Sequence, residues 1–312
     1  MFYTRKCGEI EESDFGSEQT LCGWLQDTRN LGGIAFLQLR DITGVIQLTL
    51  LKKKLDAENY KKWTSVNRES IILVRGIVKE NKEAPGGVEM LPDNIEILNE
   101  SETPLPLGVI DKIDSEIETR LNARYLDLRK SEIASNFQIR AAVSGAIHKH
   151  LRREKFLEVQ TPKIIASATE GGTSLFEMKY FDKTAYLAQS PQLYKQMLMS
   201  GGLERVYEIG PAFRAEEHNT PRHLNEFISI DIEMSFADDD VVMGVMERLV
   251  DSAARAVAKE TEALETLGIE PIELELPLPR ITYDEAVEMS NGKAEWGEDL
   301  SMEATREIAQ QM

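Results

Sequence analysis

The first hundred residues alternate between short apolar runs and polar breaks. Four β-rich runs, "TLCGWLQDTR", "IAFLQLRD", "GVIQLTLL" and "SIILVRGIVKE", are followed after "NKEAPGG" by a fifth, "GVEMLPDNIEIL". An interval with a helical pattern, roughly 56–68, lies between the third run and the fourth. Five strands with one helix in this position predict an OB-fold, a small barrel that often binds oligonucleotides. An SH3-like barrel is the main structural alternative.

A longer apolar period begins near residue 134. Ile139, Val143, Ile147 and Leu151 recur at four-residue spacing, which predicts one long helix with a single apolar face. The strand-like "FLEVQTPKII" follows it, and then a hairpin, "SLFEMKYFDKTAYLAQS".

Residues 205–216 and 223–236 form a further predicted strand pair, and 238–264 read as a second long helix. A helix, antiparallel hairpins and another helix predict an α+β domain around an antiparallel sheet. The polar, proline-bearing "NESETPLPLGV" predicts a linker between this domain and the barrel. The predicted division is therefore an OB-fold over 1–103, a hinge over 104–133 and a catalytic-type domain over 134–312.

The net charge of −18 is unevenly distributed. Residues 231–312 hold 21 acidic against 6 basic side chains, whereas residues 1–103 hold 17 against 13. The acidity therefore belongs mostly to the C-terminal third, and bulk charge does not exclude nucleic-acid binding through a local basic surface elsewhere.

The chain has none of the sequence signals of export or membrane insertion. No apolar run approaches the roughly 18 residues of a membrane span, and the N-terminus lacks the apolar core of a signal peptide. Cys7 and Cys22 are the only cysteines, and no Cys/His cluster has metal-ligand spacing. These features predict a cytoplasmic protein with two reduced thiols and no membrane partner.

The stretch "FRAEEHNTPRHLNEF", residues 213–227, joins the strands of the second predicted pair. Ile228, Ile230 and neighbouring alternate positions form an apolar face, and Phe227 falls on the opposite face. An aromatic ring out of phase with its own core face suits the stacking of a π-system. A second core over that face, or a bulge at Pro211 that shifts the alternation, would explain it equally well.

Charged side chains around Phe227 suit a nucleotide. The fork of Arg214 matches a phosphate, Glu216 can accept from an exocyclic amine, and Arg222 and His223 can reach further phosphates. Ordinary solvated loop residues are the alternative interpretation. No Gly-rich phosphate loop of the Walker or Rossmann kind is present in the sequence.

This stretch closely resembles motif 2 of the class II aminoacyl-tRNA synthetases, and "REKFLEVQTPKII" resembles their motif 1, with Lys155 where the family usually has glycine. "TRLNARYLDLR" and "WGEDL" are similar to the aspartate/asparagine/lysine subgroup. "ATEGGTSLFEMKYF" and "AQSPQLYKQ" are similar to its aspartyl members of archaeal type. In the family, amino-acid activation needs ATP and Mg²⁺, and the protein forms a homodimer to which the motif 1 proline, Pro162 here, contributes.

The resemblance implies site residues, with Arg214 as the catalytic residue. The implied ATP-binding residues are Arg214, Ala215, Glu216, Arg222, His223, Leu224 and Phe227, and the aspartate-binding residues are Glu170, Gln192, Lys195 and Arg214. Lys195 near a helix start suits a substrate carboxylate and repels a lysine substrate. A solvated helix face is the alternative for the Gln192–Lys195 pair.

In the barrel, the resemblance implies that Arg29, Phe36 and Gln47 contact the tRNA anticodon. Members restricted to the aspartate tRNA tend to carry Trp at the position of Gln26 and Lys at that of Pro85. We therefore expect a relaxed enzyme that attaches L-aspartate to tRNA-Asp and tRNA-Asn. A discriminating aspartyl enzyme, an asparaginyl enzyme, and an inactive paralogue or fragment that only binds nucleic acid are the alternatives.

In the implied mechanism the α-carboxylate of aspartate attacks the α-phosphorus of ATP, so no protein nucleophile is needed. Family members continue beyond the position of Met312 with motif 3 and the acidic Mg²⁺ ligands. The expectation from the sequence is a synthetase fragment that is inactive on its own.

Overall fold

The computed structural model describes residues 2–110, 115–166, 175–215 and 224–312. The chain forms two compact units, Met1–Lys130 and Ser131–Met312. Within the described ranges, no helix has the length and apolar character needed to cross a bilayer. The boundaries predicted at 103 and 133 stay a prediction, although the structure groups the predicted hinge up to Lys130 with the barrel.

The first unit contains a closed five-stranded barrel, which confirms the predicted OB-fold. Its strands are β1 (Glu18–Asn30), β2 (Ile34–Arg40), β3 (Val45–Leu51), β4 (Ile71–Glu80) and β5 (Val88–Asn99). They run in the order β1-β2-β3-β5-β4, and a parallel β3–β5 pairing completes the barrel. The helix α1 (Ala57–Thr64) lies between β3 and β4 in sequence, as predicted.

Alternation of side chains produces the barrel core. In β2 the buried positions are Ala35, Leu37 and Leu39, each separated by a residue that stays partly accessible on the outer face. Helix α1 begins where the Asp56 carboxylate accepts the Asn59 backbone N–H at 2.8 Å, and it packs buried aromatic side chains into the same core. The outer face of the barrel is therefore free to carry polar chemistry.

Two short helices follow the barrel, α2 (Ile117–Asn122) and α3 (Arg124–Asp127). Leu126 of α3 and Ala123 between the two helices form a small apolar cluster with Leu107. The fully buried Asp127 carboxylate accepts hydrogen bonds from Arg120, at 3.0 Å, and from Arg124. Paired in this way, a buried carboxylate avoids most of its desolvation cost.

The second unit is α+β, as predicted. After helix α4 (Ser131–Arg153) come strands β6 (Leu157–Glu158), β7 (Ile164–Ile165), β8 (Glu177–Tyr180) and β9 (Lys183–Leu187), then helix α5 (Gln192–Ser200), then β10 (Arg205–Phe213) and β11 (Glu226–Met234). Helices α6 (Asp239–Val257), α7 (Thr261–Leu267), α8 (Tyr283–Met289) and α9 (Met302–Gln311) complete it. The sheets have the orders β11-β10-β6 and β7-β9-β8.

The core of this unit covers one face of the β10–β11 pair. Ile147 and Leu151 of α4 and Val245 and Leu249 of α6 pack around the fully buried Tyr207. This is the apolar stripe that the four-residue spacing predicted for α4. The opposite face of β10 and β11 remains available for polar side chains.

The prediction of one helix over 238–264 is wrong, because the helix breaks between Val257 and Thr261. Glu260 has φ −84° and ψ 54°, outside the helical region. The break redirects the chain so that Ala263 and Leu264 of α7 are buried. A continuous apolar period could not reveal this change of direction.

Helix α4 ends in a Schellman motif at Lys155. The Phe156 N–H bonds to the Leu151 carbonyl at 2.9 Å and the Lys155 N–H bonds to the Arg152 carbonyl at 3.1 Å. Lys155 has φ 64°, a left-handed conformation that costs a residue with a Cβ roughly 1–2 kcal/mol. This geometry suits glycine, the residue that the resemblance to motif 1 predicts at this position.

We predict that Lys155→Gly stabilises the protein by about 1 kcal/mol, because glycine adopts this conformation without strain. Lys149→Gly is the matched control, since Lys149 is exposed within α4 and glycine there should cost about 1 kcal/mol. Urea unfolding followed by circular dichroism measures both changes. A Lys155→Gly variant no more stable than the parent would contradict the strain at this residue.

Candidate active site and nucleic-acid interface

The β10–β11 pair has one apolar and one polar face. Its antiparallel register runs without a bulge from Arg205 opposite Met234 to Phe213 opposite Glu226. Pro211 therefore does not shift the alternation, and Phe227 lies directly opposite Ala212. The polar face carries the β10 residues Glu208, Gly210 and Ala212 and the β11 residues Phe227, Ser229, Asp231 and Glu233.

Arg214 and Phe227 meet at the open end of this face. The Arg214 guanidinium lies over the Phe227 ring, 5.4 Å from its centroid. The backbone N–H of Arg214 donates to the backbone carbonyl of Asn225 at 2.9 Å. Phe227 is half-buried and lies outside the apolar core on the other side of the sheet. Its ring face is therefore a surface on which a planar cation already rests.

The other nucleotide-binding candidates flank this pair or fall outside it. Ala215 follows Arg214 and is half-buried. Leu224, the first residue of the described range 224–312, is exposed. Glu216, Arg222 and His223 lie outside the described residues, as does Glu170 of the predicted aspartate site.

Lys195 is buried against the polar face, on helix α5. Its Nζ lies 3.2 Å from Asp231 Oδ1 and 3.5 Å from Glu233 Oε2, and it also donates to the Ile232 carbonyl at 3.2 Å. Only 4% of the residue is exposed, so it does not belong to a solvated helix face. The ammonium group is a fixed positive charge among carboxylates.

Gln192 lies one turn earlier on α5 and is half-buried. The Ser190 hydroxyl accepts the Gln192 backbone N–H at 3.2 Å, although the N-cap residue of the helix is Pro191. Helix α5 begins at Gln192, immediately after Pro191, so the proline precedes the helix by one residue. The spacing of three residues brings Gln192 and Lys195 to the same side of α5.

Two carboxylates face each other across the strand pair, Glu208 and Asp231. Like charges in this arrangement repel each other. Each has its own cation: Lys163 Nζ lies 2.8 Å from Glu208, and Lys195 lies 3.2 Å from Asp231. Glu208 also accepts from the Thr161 hydroxyl at 2.7 Å. Lys195 is shared with Glu233, so three carboxylates on the polar face are paired with two ammonium groups.

Sequence reasoning assigned no role to Asp231, Glu233 or Glu208. The strand alternation had already put all three on the face of Phe227 and Arg214, and that was the available signal. Their contacts with Lys195 and Lys163 could not be read from it, because α5 and the segment before β7 approach the sheet only through tertiary packing.

On the barrel, Arg29, Phe36 and Gln47 line one pocket of about 710 Å³. Arg29 of β1 lies directly opposite Phe36 of β2, and Gln47 of β3 lies opposite Gln38. The structure therefore brings together the three residues predicted to contact the anticodon. The exposed faces of Phe36 and Gln47 provide one stacking surface and one hydrogen-bonding amide.

Glu89 is a buried residue in the lining of this pocket that was not predicted as a site residue. Its Oε2 accepts from the Thr49 hydroxyl at 2.6 Å and from the Asn81 and Gln47 side-chain amides at 2.8 and 3.3 Å, and Lys79 Nζ lies 2.8 Å from its Oε1. Burial alone would raise the pKa of Glu89, but hydrogen bonds from Lys79, Thr49 and Asn81 outweigh it and hold this pKa below its usual range. The carboxylate therefore remains charged and orients the Gln47 amide.

Of the two positions predicted to affect tRNA discrimination, Gln26 contacts a residue that lines the pocket. The Gln26 amide donates to Gln38 Oε1 at 3.2 Å, and its own oxygen accepts from Arg40 at 3.2 Å. Gln38 lines the pocket. Pro85 starts a short 3-10 turn, Pro85–Gly87, between β4 and β5. Both positions present neither a bulky ring nor a charge.

Pro162, predicted at a dimer interface, is exposed between β6 and β7. Leu157 and Ile164 on either side of it are also exposed, at 52% and 51%. All three are exposed apolar side chains within the segment that resembles motif 1.

Comparison with known proteins agrees with both units. Residues 116–310 match the family model of class II tRNA synthetases (D, K and N), and residues 19–98 match that of the OB-fold nucleic acid binding domain. An aspartate--tRNA(Asp/Asn) ligase of Methanopyrus kandleri is 54% identical over 300 residues, which cover 95% of this chain and 70% of that protein.

Two further relatives show the range of specificities. An aspartate--tRNA(Asp) ligase of Thermococcus kodakarensis is 46% identical over 317 residues, covering 100% of this chain and 72% of that protein. The crystal structure of asparaginyl-tRNA synthetase from Pyrococcus horikoshii with asparaginyl-adenylate superposes with a TM-score of 0.91 at 31% identity, covering 100% of this chain and 73% of that one.

The barrel with its lined pocket and the antiparallel sheet with its charged face define an aminoacyl-tRNA synthetase of class II. The chain belongs to the aspartate, lysine and asparagine family of these enzymes.

Proposed function

We propose that the protein attaches L-aspartate to both tRNA-Asp and tRNA-Asn through an aspartyl-adenylate. The observation that carries the proposal is the buried ammonium of Lys195 between Asp231 and Glu233 on the sheet face shared with Phe227. A fixed cation there suits a substrate whose side chain is a carboxylate. The names of the relatives from Methanopyrus kandleri and Archaeoglobus fulgidus, both aspartate--tRNA(Asp/Asn) ligases, support the same substrates.

The amino acid binds by exchanging ion pairs already present on this face. The side-chain carboxylate of the substrate aspartate forms an ion pair with Lys195 Nζ. The α-ammonium of the same substrate replaces Lys195 as the cation beside Asp231. Gln192 and Glu170 complete the pocket. Lysine is disfavoured because its ammonium would meet Lys195, and asparagine is disfavoured because its neutral amide gains less from a buried cation.

ATP binds at the open end of the face. Adenine stacks on Phe227 and displaces the Arg214 guanidinium from the ring. Stacking of a nucleic-acid base on an aromatic side chain contributes about 1–3 kcal/mol. Arg214 then contacts the α-phosphate and opposes the negative charge that develops when the aspartate α-carboxylate attacks the α-phosphorus and pyrophosphate leaves. Ala215, Glu216, Arg222, His223 and Leu224 provide the remaining contacts to ATP.

Mg²⁺ enters as part of the ATP substrate. Among the residues that the structure describes, no group of three or more His, Cys, Asp or Glu side chains could hold a metal ion. The residues of this chain named above act by positioning the substrates and by charge.

The tRNA specificity rests on Gln26 and Pro85. Their small or neutral side chains leave the pocket of Arg29, Phe36 and Gln47 open to anticodons that differ at the third base. The relative named as a tRNA(Asp) ligase is 46% identical, so overall similarity alone does not separate the two specificities. A homodimer in the cytoplasm, with Pro162 in the interface, completes the proposal.

We predict that Lys195→Met raises the KM for aspartate at least tenfold and leaves the KM for ATP nearly unchanged. ATP–pyrophosphate exchange on the product of the complete reading frame that contains this chain measures both constants. Lys259→Met, an exposed lysine on the second unit, is the control. Equal effects on the two KM values would remove Lys195 from the amino-acid pocket. Faster exchange with asparagine than with aspartate would identify an asparaginyl enzyme.

For the tRNA, we predict that the same protein charges tRNA-Asp and tRNA-Asn transcripts with kcat/KM values within about tenfold of each other, because the third anticodon base is not recognised. A protein that recognised this base would lose roughly 1–3 kcal/mol with the wrong one. Gln26→Trp should lower charging of tRNA-Asn selectively. A wild-type preference of a thousandfold for tRNA-Asp would establish a discriminating enzyme instead.

A further inference from the structure

A concentrated positive charge lies on the turn that follows β3. Lys52, Lys53 and Lys54 are consecutive and exposed, and the turn is closed by a hydrogen bond from the Lys54 N–H to the Leu51 carbonyl at 2.9 Å. Helix α1 adds two more exposed lysines, Lys61 and Lys62. We call these five residues the lysine cluster. It belongs to a chain whose net charge is −18, so it is a local exception to the overall field.

The lysine cluster borders one end of the barrel pocket. The pocket extends along β2 and β3 to the cross-strand pair Ile34–Leu51, and Lys52 is the next residue of the chain. The Lys52 N–H bonds to the Gly33 carbonyl at 3.1 Å, and its Nζ lies 5.8 Å from the centre of the Tyr60 ring of α1. The turn is therefore held against the pocket end and against the helix that carries the other two lysines.

The pocket itself cannot supply the charge that a polyanion needs. Its charged lining residues are the basic Arg29 and Lys79 and the acidic Asp27, Glu83 and Glu89, an excess of one negative charge. Lys79 is already paired with Glu89 at 2.8 Å. A nucleic-acid strand carries one negative charge per phosphate, and cations that neutralise these phosphates provide much of its affinity. Bases fit this pocket, but their phosphates require positive charge outside it.

We propose that the lysine cluster binds the phosphate groups of the RNA strand that flanks the bases in the pocket. The strand leaves the pocket past Leu51 and continues over the turn of Lys52–Lys54 towards α1. This inference rests on the proposed function, because the pocket must hold anticodon bases. The cluster contributes affinity without base specificity, since ammonium groups contact phosphate and read no base edge.

The test is the salt dependence of RNA binding by the whole chain. The probe is the anticodon stem-loop of tRNA-Asp, and the variant is Lys52→Ala/Lys53→Ala/Lys54→Ala. Each lost phosphate contact lowers the slope of log affinity against log salt concentration by about 0.7–0.9. If two or three contacts are lost, the ratio of wild-type to variant affinity should therefore be roughly tenfold smaller at 200 mM salt than at 50 mM.

Three controls separate the phosphate contacts from other effects. The triple Lys→Arg variant of the same turn keeps the charge and should retain the wild-type slope. Lys179→Ala/Lys183→Ala/Lys259→Ala removes the same charge from exposed positions of the second unit and should also retain it. Phe36→Ala should weaken binding with little change in slope, because it removes stacking and no charge.

An unchanged slope in the turn variant, with Phe36→Ala still weakening binding, would overturn the lysine cluster and leave the proposed function intact. That result would be expected if the cluster instead bound an acidic protein. Failure of the wild-type chain to bind the stem-loop would overturn both proposals. Circular dichroism of every variant checks that the barrel is folded.

Discussion

Two carboxylates face each other across the β10–β11 pair, and the second unit depends on the two lysines that compensate them. Glu208 is held by Lys163 and Asp231 by Lys195, so the repulsion between neighbouring strands becomes a pair of separate ion pairs. Removing Lys195 would leave Asp231 and Glu233 without their shared cation, although both side chains keep partial contact with solvent, at 19% and 24% exposure. The same ion pairs provide a binding site, because a substrate with complementary charges can replace one partner of each pair.

The strand pair can carry this chemistry because an apolar core covers part of its opposite face, although Ile228 and Ile230 on that face remain exposed at 48% and 45%. Tyr207, Ile209, Ile232 and Met234 pack against helices α4 and α6, which fixes the alternation of side chains along both strands. A continuous register without a bulge then fixes Phe227, Ser229, Asp231 and Glu233 on the polar side. Packing on one face therefore determines the geometry of the chemistry on the other. The barrel follows the same principle, with its core inside and its nucleotide-sized pocket outside.

Local patterns predicted those features whose causes are local. The alternation in β2, the four-residue spacing in α4 and the position of Phe227 opposite its core face are all set within one element. The break between α6 and α7 was missed because its cause, the burial of Ala263 and Leu264, lies in tertiary packing. Glu89 was missed for a related reason, since only the parallel pairing of β3 with β5 brings it to Gln47. The resemblance to motif 2 identified Arg214 and Phe227, but the contact between their side chains is a structural finding.

We propose that ATP binds to the polar face of β10 and β11 and not to the opposite face. Nuclear magnetic resonance of the chain, labelled at phenylalanine rings and isoleucine methyl groups and titrated with ATP, distinguishes the two faces. We expect the Phe227 ring resonances to shift strongly while the methyl groups of Ile209 and Ile232 on the opposite face do not. Shifts confined to Ile209 and Ile232, or an unperturbed Phe227 at saturating ATP, would contradict it.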